Sequence, residues 1–212
     1  MIVIVLAVVA VAVGAVVFLL KGGGGNHLGT GATPGSKTPP FHFRLGSTHV
    51  ITTVAAGKAN QGAVSDAAKD IDTTLTNMYA LAFLDPDHWK KSDYDAVFGF
   101  FAGGKAASSA QRDQAALTLG QGAGDTFDDV QPRSGTLTVR VLTGSSGKPV
   151  TSAATADFTA DATKKDGSTM VIKSHATFYL QLTDHAWVIV GYRATRKDQS
   201  GGQPAPSAGA SS

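Results

Sequence analysis

Residues 175–196 read HATFYLQLTDHAWVIVGYRATR, two apolar-rich runs separated by Thr183-Asp184. In the first run Ala176, Phe178 and Leu180 alternate with His175, Thr177 and Tyr179, the two-residue period of a strand with one covered face. The second, Ala186–Ala194, is nearly apolar, and Thr183-Asp184 is the turn chemistry that joins antiparallel neighbours. The same period extends upstream. Met170 and Ile172 continue the apolar set of the first run and Lys173 its polar set; Ala154, Ala156, Phe158 and Ala160 alternate with Thr155, Asp157 and Thr159; Leu137, Val139 and Val141 alternate with Thr136, Thr138 and Arg140. The breaks, Ser145-Ser146-Gly147-Lys148 and Lys165-Asp166-Gly167, are hairpin turns. Four sequential strands with short connections form an antiparallel meander whose apolar face needs a cover.

The cover lies upstream, where the period changes. Val64, Ala68, Ile71, Leu75, Met78 and Ala82 recur at three- and four-residue steps, predicting an amphipathic helix of about twenty residues. Pro86 disfavours helical geometry at the residue before it, so the helix stops near Leu84. Asp85-Pro86 is a sound start for a second, broken helix: the carboxylate accepts free amides and Pro has no amide to leave unpaired. Trp89, Val97, Phe98 and Phe101 supply its buried side, and Gly103-Gly104 ends it. A third helix runs from Ala106 to Leu119, followed by a connector over Gly122–Arg133 with a turn near Phe127. Phe41–Val54 fits either a short strand or an arm packed on the core. The fold class is therefore α+β, three helices packed on a curved antiparallel sheet of four or more strands, forming a cone.

Ile2–Leu20 is a run of apolar and small residues without a charge, about one hydrocarbon core long as a helix. It lacks the basic leader and small-x-small end of a cleavable signal, so residues 1–21 read as a single-pass membrane anchor in the lipid bilayer. Residues 22–40 read as a flexible Gly/Pro linker, 41–197 as the α+β domain and 198–212 as a disordered tail. Lys21, Lys37 and Arg44 argue for a cytoplasmic domain. The spacer-like linker argues for the extracytoplasmic side, which is the expectation adopted.

Composition excludes several chemistries. There is no Cys, hence no disulfide, thiol nucleophile or zinc–thiolate site, and all 16 acids are Asp, so nothing depends on Glu. A net charge of +2 does not indicate a nucleic-acid partner. The charge is uneven, however. Residues 62–119 carry eight Asp against five Lys and Arg, whereas 133–197 carry nine Lys and Arg against four Asp. That excess marks a basic sheet face with Arg140, Lys173 and Arg193 as the partner-facing residues. Asp85, Asp87 and His88 beside Trp89 are explained by helix capping, so no metal or other cofactor is expected.

The order of three helices and then a sheet ending in a Trp-containing strand resembles the nuclear transport factor two-like superfamily, a cystatin-like α+β group. The likeness covers residues 63–196, and 175–196 is its most suggestive stretch. With the anchor, it is similar to the membrane-anchored mammalian-cell-entry-associated proteins and to conjugation-scaffold subunits of bacteria. The resemblance implies a non-catalytic envelope protein that binds another envelope protein, with homo-oligomers allowed. It also implies a conical pocket for an apolar ligand, with Tyr94, Trp187 and Tyr192 as lining residues. Enzymes of that superfamily place an Asp–His or Asp–Tyr pair in the pocket; Asp157, His175, Tyr179, Tyr192 and Tyr94 are this chain's candidates. Strand alternation puts His175 and Tyr179 on the polar, solvent side instead.

Overall fold

The computed structural model describes residues 41–46, 48–52 and 59–200. The anchor expected over 1–21, the linker over 22–40 and most of the tail lie outside the described residues. Among the described residues no helix is long and apolar enough to cross a membrane.

The domain is α+β. Its mixed sheet holds six strands: β1 (Arg44–Leu45), β2 (His49–Thr52), β3 (Phe127–Thr143), β4 (Pro149–Lys164), β5 (Thr169–Thr183) and β6 (Ala186–Ser200). The last four form the antiparallel meander that the alternation predicts. The sheet is not wholly antiparallel, because β1 and β2 both add to the free edge of β3 in parallel. Aromatic packing holds this arm in place. Phe43 is buried, and the Phe41 ring meets those of Phe43 and Phe158 edge-on at 4.9 and 5.3 Å. Gly135 of β3 makes room for both: a Cβ there would fall 2.6 Å from Phe41 Cζ and 2.9 Å from Phe43 Cδ1.

The helical layer follows the sequence at its start. Asn60 Oδ1 accepts from the Ala63 amide at 3.1 Å and caps α1 (Gln61–Tyr79), which widens into a π-helical turn over Ala80–Leu84. Ile71, Leu75, Met78 and Tyr79 turn inward. Asp85 Oδ1 accepts from the Asp87 amide at 2.9 Å and caps α2 (Pro86–Trp89). Beyond this point the two expected long helices are short pieces. Ser92, at φ 56, separates α2 from α3 (Asp95–Phe98). A break at Asp113 separates α4 (Lys105–Arg112) from α5 (Gln114–Leu117). The expected connector is a further turn, α6 (Ala123–Thr126), running straight into β3 at Phe127.

The core lies between this layer and one sheet face. Tyr79 packs against Phe83, Phe158 and Phe178 at centroid distances of 5.4, 5.3 and 6.2 Å. The Tyr79 hydroxyl shares a hydrogen bond of 3.1 Å with the Ser174 hydroxyl, so neither polar group is left alone in the interior. Two departures in the strands matter for function. First, β6 continues past the expected boundary at 197, pairing Asp198 with Ile172 and Ser200 with Met170. Second, Tyr179 pairs with Gly191 while Leu180 pairs with Ile189, leaving Val190 as an extra residue. This β-bulge reverses the alternation of everything beyond it.

Candidate functional site

The helices cover one face of the sheet. The other carries the polar members of each alternation, and three rows on β4, β5 and β6 form a polar grid. Thr159, Lys173 and Lys197 lie side by side; Asp157, His175 and Thr195 form the next row; Thr155, Thr177 and Arg193 the third. Side chains directly opposite on neighbouring strands lie about 5 Å apart at Cβ, so each row is a set of interacting groups.

In the middle row, His175 Nδ1 lies 2.7 Å from Asp157 Oδ1. A carboxylate only accepts, so Nδ1 carries the proton and donates, while Nε2 sits on the opposite edge of the ring. Both side chains are about 60 % exposed (60 % and 62 %). Beside them, Thr155 and Thr177 share a hydroxyl hydrogen bond of 3.2 Å. In the first row, Lys173 and Lys197 stand opposite each other, an arrangement of like charges that costs stability when nothing intervenes.

Nothing does. On this face Asp157 is engaged by His175, and Asp161 lies 3.4 Å from Arg133. Lys173, Lys197, Arg193 and Arg140 have no carboxylate within 4.0 Å among the described residues. Residues 1–40, 47, 53–58 and 201–212 contain no acidic side chain either. A shallow depression of about 380 Å³ lies over the first two rows, lined by Asp157, Thr159, Lys173, His175, Thr195 and Lys197. A second, of about 690 Å³, follows the β6 edge between α5 and the grid, with Asp113, Ala115, Tyr192 and Arg193 on its walls.

The expected partner-facing residues Arg140, Lys173 and Arg193 all fall on this uncovered face and are exposed. They do not make one stripe. Lys173 and Arg193 belong to the β5–β6 grid, whereas Arg140 is on β3 opposite His49 of the arm. The expected pocket residues are not brought together. Tyr94 is buried, and its hydroxyl donates to the Gly120 carbonyl at 3.1 Å. Burial pushes its phenol up to about 12. Trp187 is a core residue that turns toward the helices before the bulge. Only Tyr192 borders an opening. Its hydroxyl donates to Asp113 Oδ2 at 2.7 Å, and burial, then that carboxylate, raise its pKa. Among the described residues no group of three possible metal ligands occurs.

Lys197 lies three residues past Ala194, the end expected for the last strand, and the longer β6 carries it onto this face. Arg196, its neighbour, points the other way. It donates to the Thr118 and Ala115 carbonyls at 2.6 and 3.4 Å and forms a two-pronged pair with Asp198, so it holds the C-terminal end of α5 rather than a partner. No family model, curated protein or solved structure matches the chain.

Proposed function

We propose that this protein is a single-pass, membrane-anchored, non-catalytic interaction domain. In this reading Ile2–Leu20 holds it in the bilayer and the uncovered sheet face docks an acidic partner. The partner is another envelope protein, and the domain is a subunit of a bacterial envelope transport or secretion assembly, placed on the extracytoplasmic side. The cone-like arrangement and kinship with the nuclear transport factor two-like superfamily belong to the same proposal. One observation carries it: four cations stand on an exposed, rigid strand surface with no carboxylate side chain of the described residues to neutralise them. Such groups set association rate and partner choice. The Asp157–His175 pair has the tautomer of a general base. Among the described residues, though, neither His175 nitrogen has a nucleophile's hydroxyl as a hydrogen-bond partner.

The test is photocross-linking of the full chain in its native membranes, with the probe at Thr155 or Thr177 on the grid and, as control, at Asp66 on the helical side. Protein adducts are expected from the grid positions only, and Lys173→Asp with Arg193→Asp removes them, more completely at low salt. Adducts from Asp66 alone, or grid adducts that survive the charge reversal, would refute the docking face. Removing residues 1–40 is expected to release the protein from carbonate-washed membranes; retention would refute the single anchor.

A further inference from the structure

We infer that Lys173, Lys197 and His175 form a binding site for a phosphate group carried by a small molecule or a lipid. The site stands on its own geometry and does not depend on the docking of a protein partner. Three features carry it. The register sets Lys173 directly opposite Lys197 at the end of the grid, with two ammonium groups able to converge on one anion. One row away, Asp157 fixes the His175 ring by Nδ1, so Nε2 faces away from the only carboxylate in the depression. The opening over these residues, about 380 Å³, is larger than a bare oxyanion and shallow enough to admit a group attached to something bulky.

The chemistry favours phosphate over a carboxylate. Two ammonium groups and the Thr159 hydroxyl match the several oxygens and double charge of a phosphate monoester, whereas a carboxylate that bridges both lysines neutralises only one of them. His175 is suited to both ionic forms: neutral, its Nε2 accepts from a P–OH; protonated, it donates to a P–O⁻. Asp157 is the one opposing charge in the depression, and His175 engages its Oδ1. A like-charged pair directly across two strands costs folding stability, and a bound dianion reverses that sign.

The phosphate has two possible sources. A soluble metabolite reaches an exposed face freely. A lipid headgroup reaches it when this face lies against a bilayer.

The experiment uses the full chain, isotopically labelled, in neutral detergent micelles, with backbone amide shifts recorded at Lys173, His175, Thr195 and Lys197. One arm titrates inorganic phosphate and pyrophosphate. The other dopes the micelles with phosphatidylglycerol, against phosphatidylcholine as control. Saturable shifts in the first arm identify a soluble phosphate, and shifts confined to phosphatidylglycerol identify a headgroup. Either supports the site when Lys173→Gln with Lys197→Gln weakens binding about tenfold and Arg140→Gln leaves it within twofold. The melting temperature of the double variant does not fall, because a repulsion has been removed. No shift with any probe, a loss below fivefold in the double variant, or an equal loss in Arg140→Gln would overturn it.

Discussion

Replacing Gly135 by Ala tests whether the N-terminal arm is part of the core or an attachment to it. The new Cβ would stand 2.6 and 2.8 Å from Phe41 Cζ and Cε2 and 2.9 Å from Phe43 Cδ1, so one of the rings must move. Phe43 is hemmed in by Tyr79 at 5.0 Å and is buried, whereas Phe41 is only half-buried. The Phe41 ring therefore yields, losing its edge-on contacts with Phe43 and Phe158. Overpacking of this kind costs about 1–3 kcal/mol. Replacing a strand glycine returns about 0.5–1 kcal/mol. A net loss of about 1–2 kcal/mol is expected. Phe41→Ala alone costs about 2 kcal/mol, less than a fully buried Phe because one side already faces water. In the double variant the methyl added at position 135 occupies space the ring has vacated. The total should then fall short of the sum by about 1 kcal/mol, well outside the 0.3–0.5 kcal/mol scatter of independent sites. Urea unfolding of the full chain, followed by fluorescence of the two buried tryptophans, Trp89 and Trp187, gives all four corners of the cycle. Strict additivity, or a Gly135→Ala variant as stable as the parent, would mean that the rings do not fill the space over Gly135.

Two further outcomes follow from single side chains. Tyr94 is raised by burial to about 12 against an ordinary 10.0, so the unfolded chain ionises first. Its contribution is complete below pH 10.0 and is lost as pH climbs toward about 12. Tyr94→Phe should lose about 1 kcal/mol at neutral pH with its hydrogen bond to Gly120, yet fall less steeply than the parent in alkali; an unchanged alkaline slope in denaturant titrations refutes this. Arg196→Ala should cost about 1–3 kcal/mol, because the Thr118 carbonyl at the end of α5 loses a charged donor. Arg196→Lys should recover less than half, since an ammonium cannot serve Asp198 and that carbonyl in one plane. A loss under about 0.5 kcal/mol for Arg196→Ala would show that the contact does not support α5.

What could be read from the sequence is what local chemistry determines. The alternation in β3, β4 and β5 fixes which residues face the helices: Val139, Phe158 and Phe178 are buried, while His175 and Tyr179 are exposed. Asp85-Pro86 caps a helix because its requirements lie within three residues. The arm over Phe41–Val54 is legible as a short strand or a segment packed on the core; its parallel pairing is not, since strands of two and four residues carry no register and the space they fill is set by Gly135 some ninety positions away. The start of β3 was hidden for a different reason. Asp128, Asp129 and Arg133 are exposed there, and register shifts near Phe127 and Pro132 break the alternation.

The bulge at Val190 is the case in which the missing information was chemical rather than periodic. Trp187 and Ile189 must face the helices, and Phe100 and Ala102 fasten that segment through hydrogen bonds with Ile189 of 3.0 and 2.8 Å. Continuing the same alternation would turn Arg193 and Lys197 toward the layer that holds Phe178 and Ala176. Desolvating each cation there would cost several kcal/mol. One extra residue at Val190 costs a local break in the ladder and lets both cations reach water. It also turns Tyr192 to Asp113 and Arg196 to the end of α5, contacts that a regular strand would forfeit. The charges at 193 and 197 therefore require the irregularity once the tryptophan end is fixed. The same irregularity sets Lys197 opposite Lys173, so the basic end of the grid follows from keeping these cations out of the core.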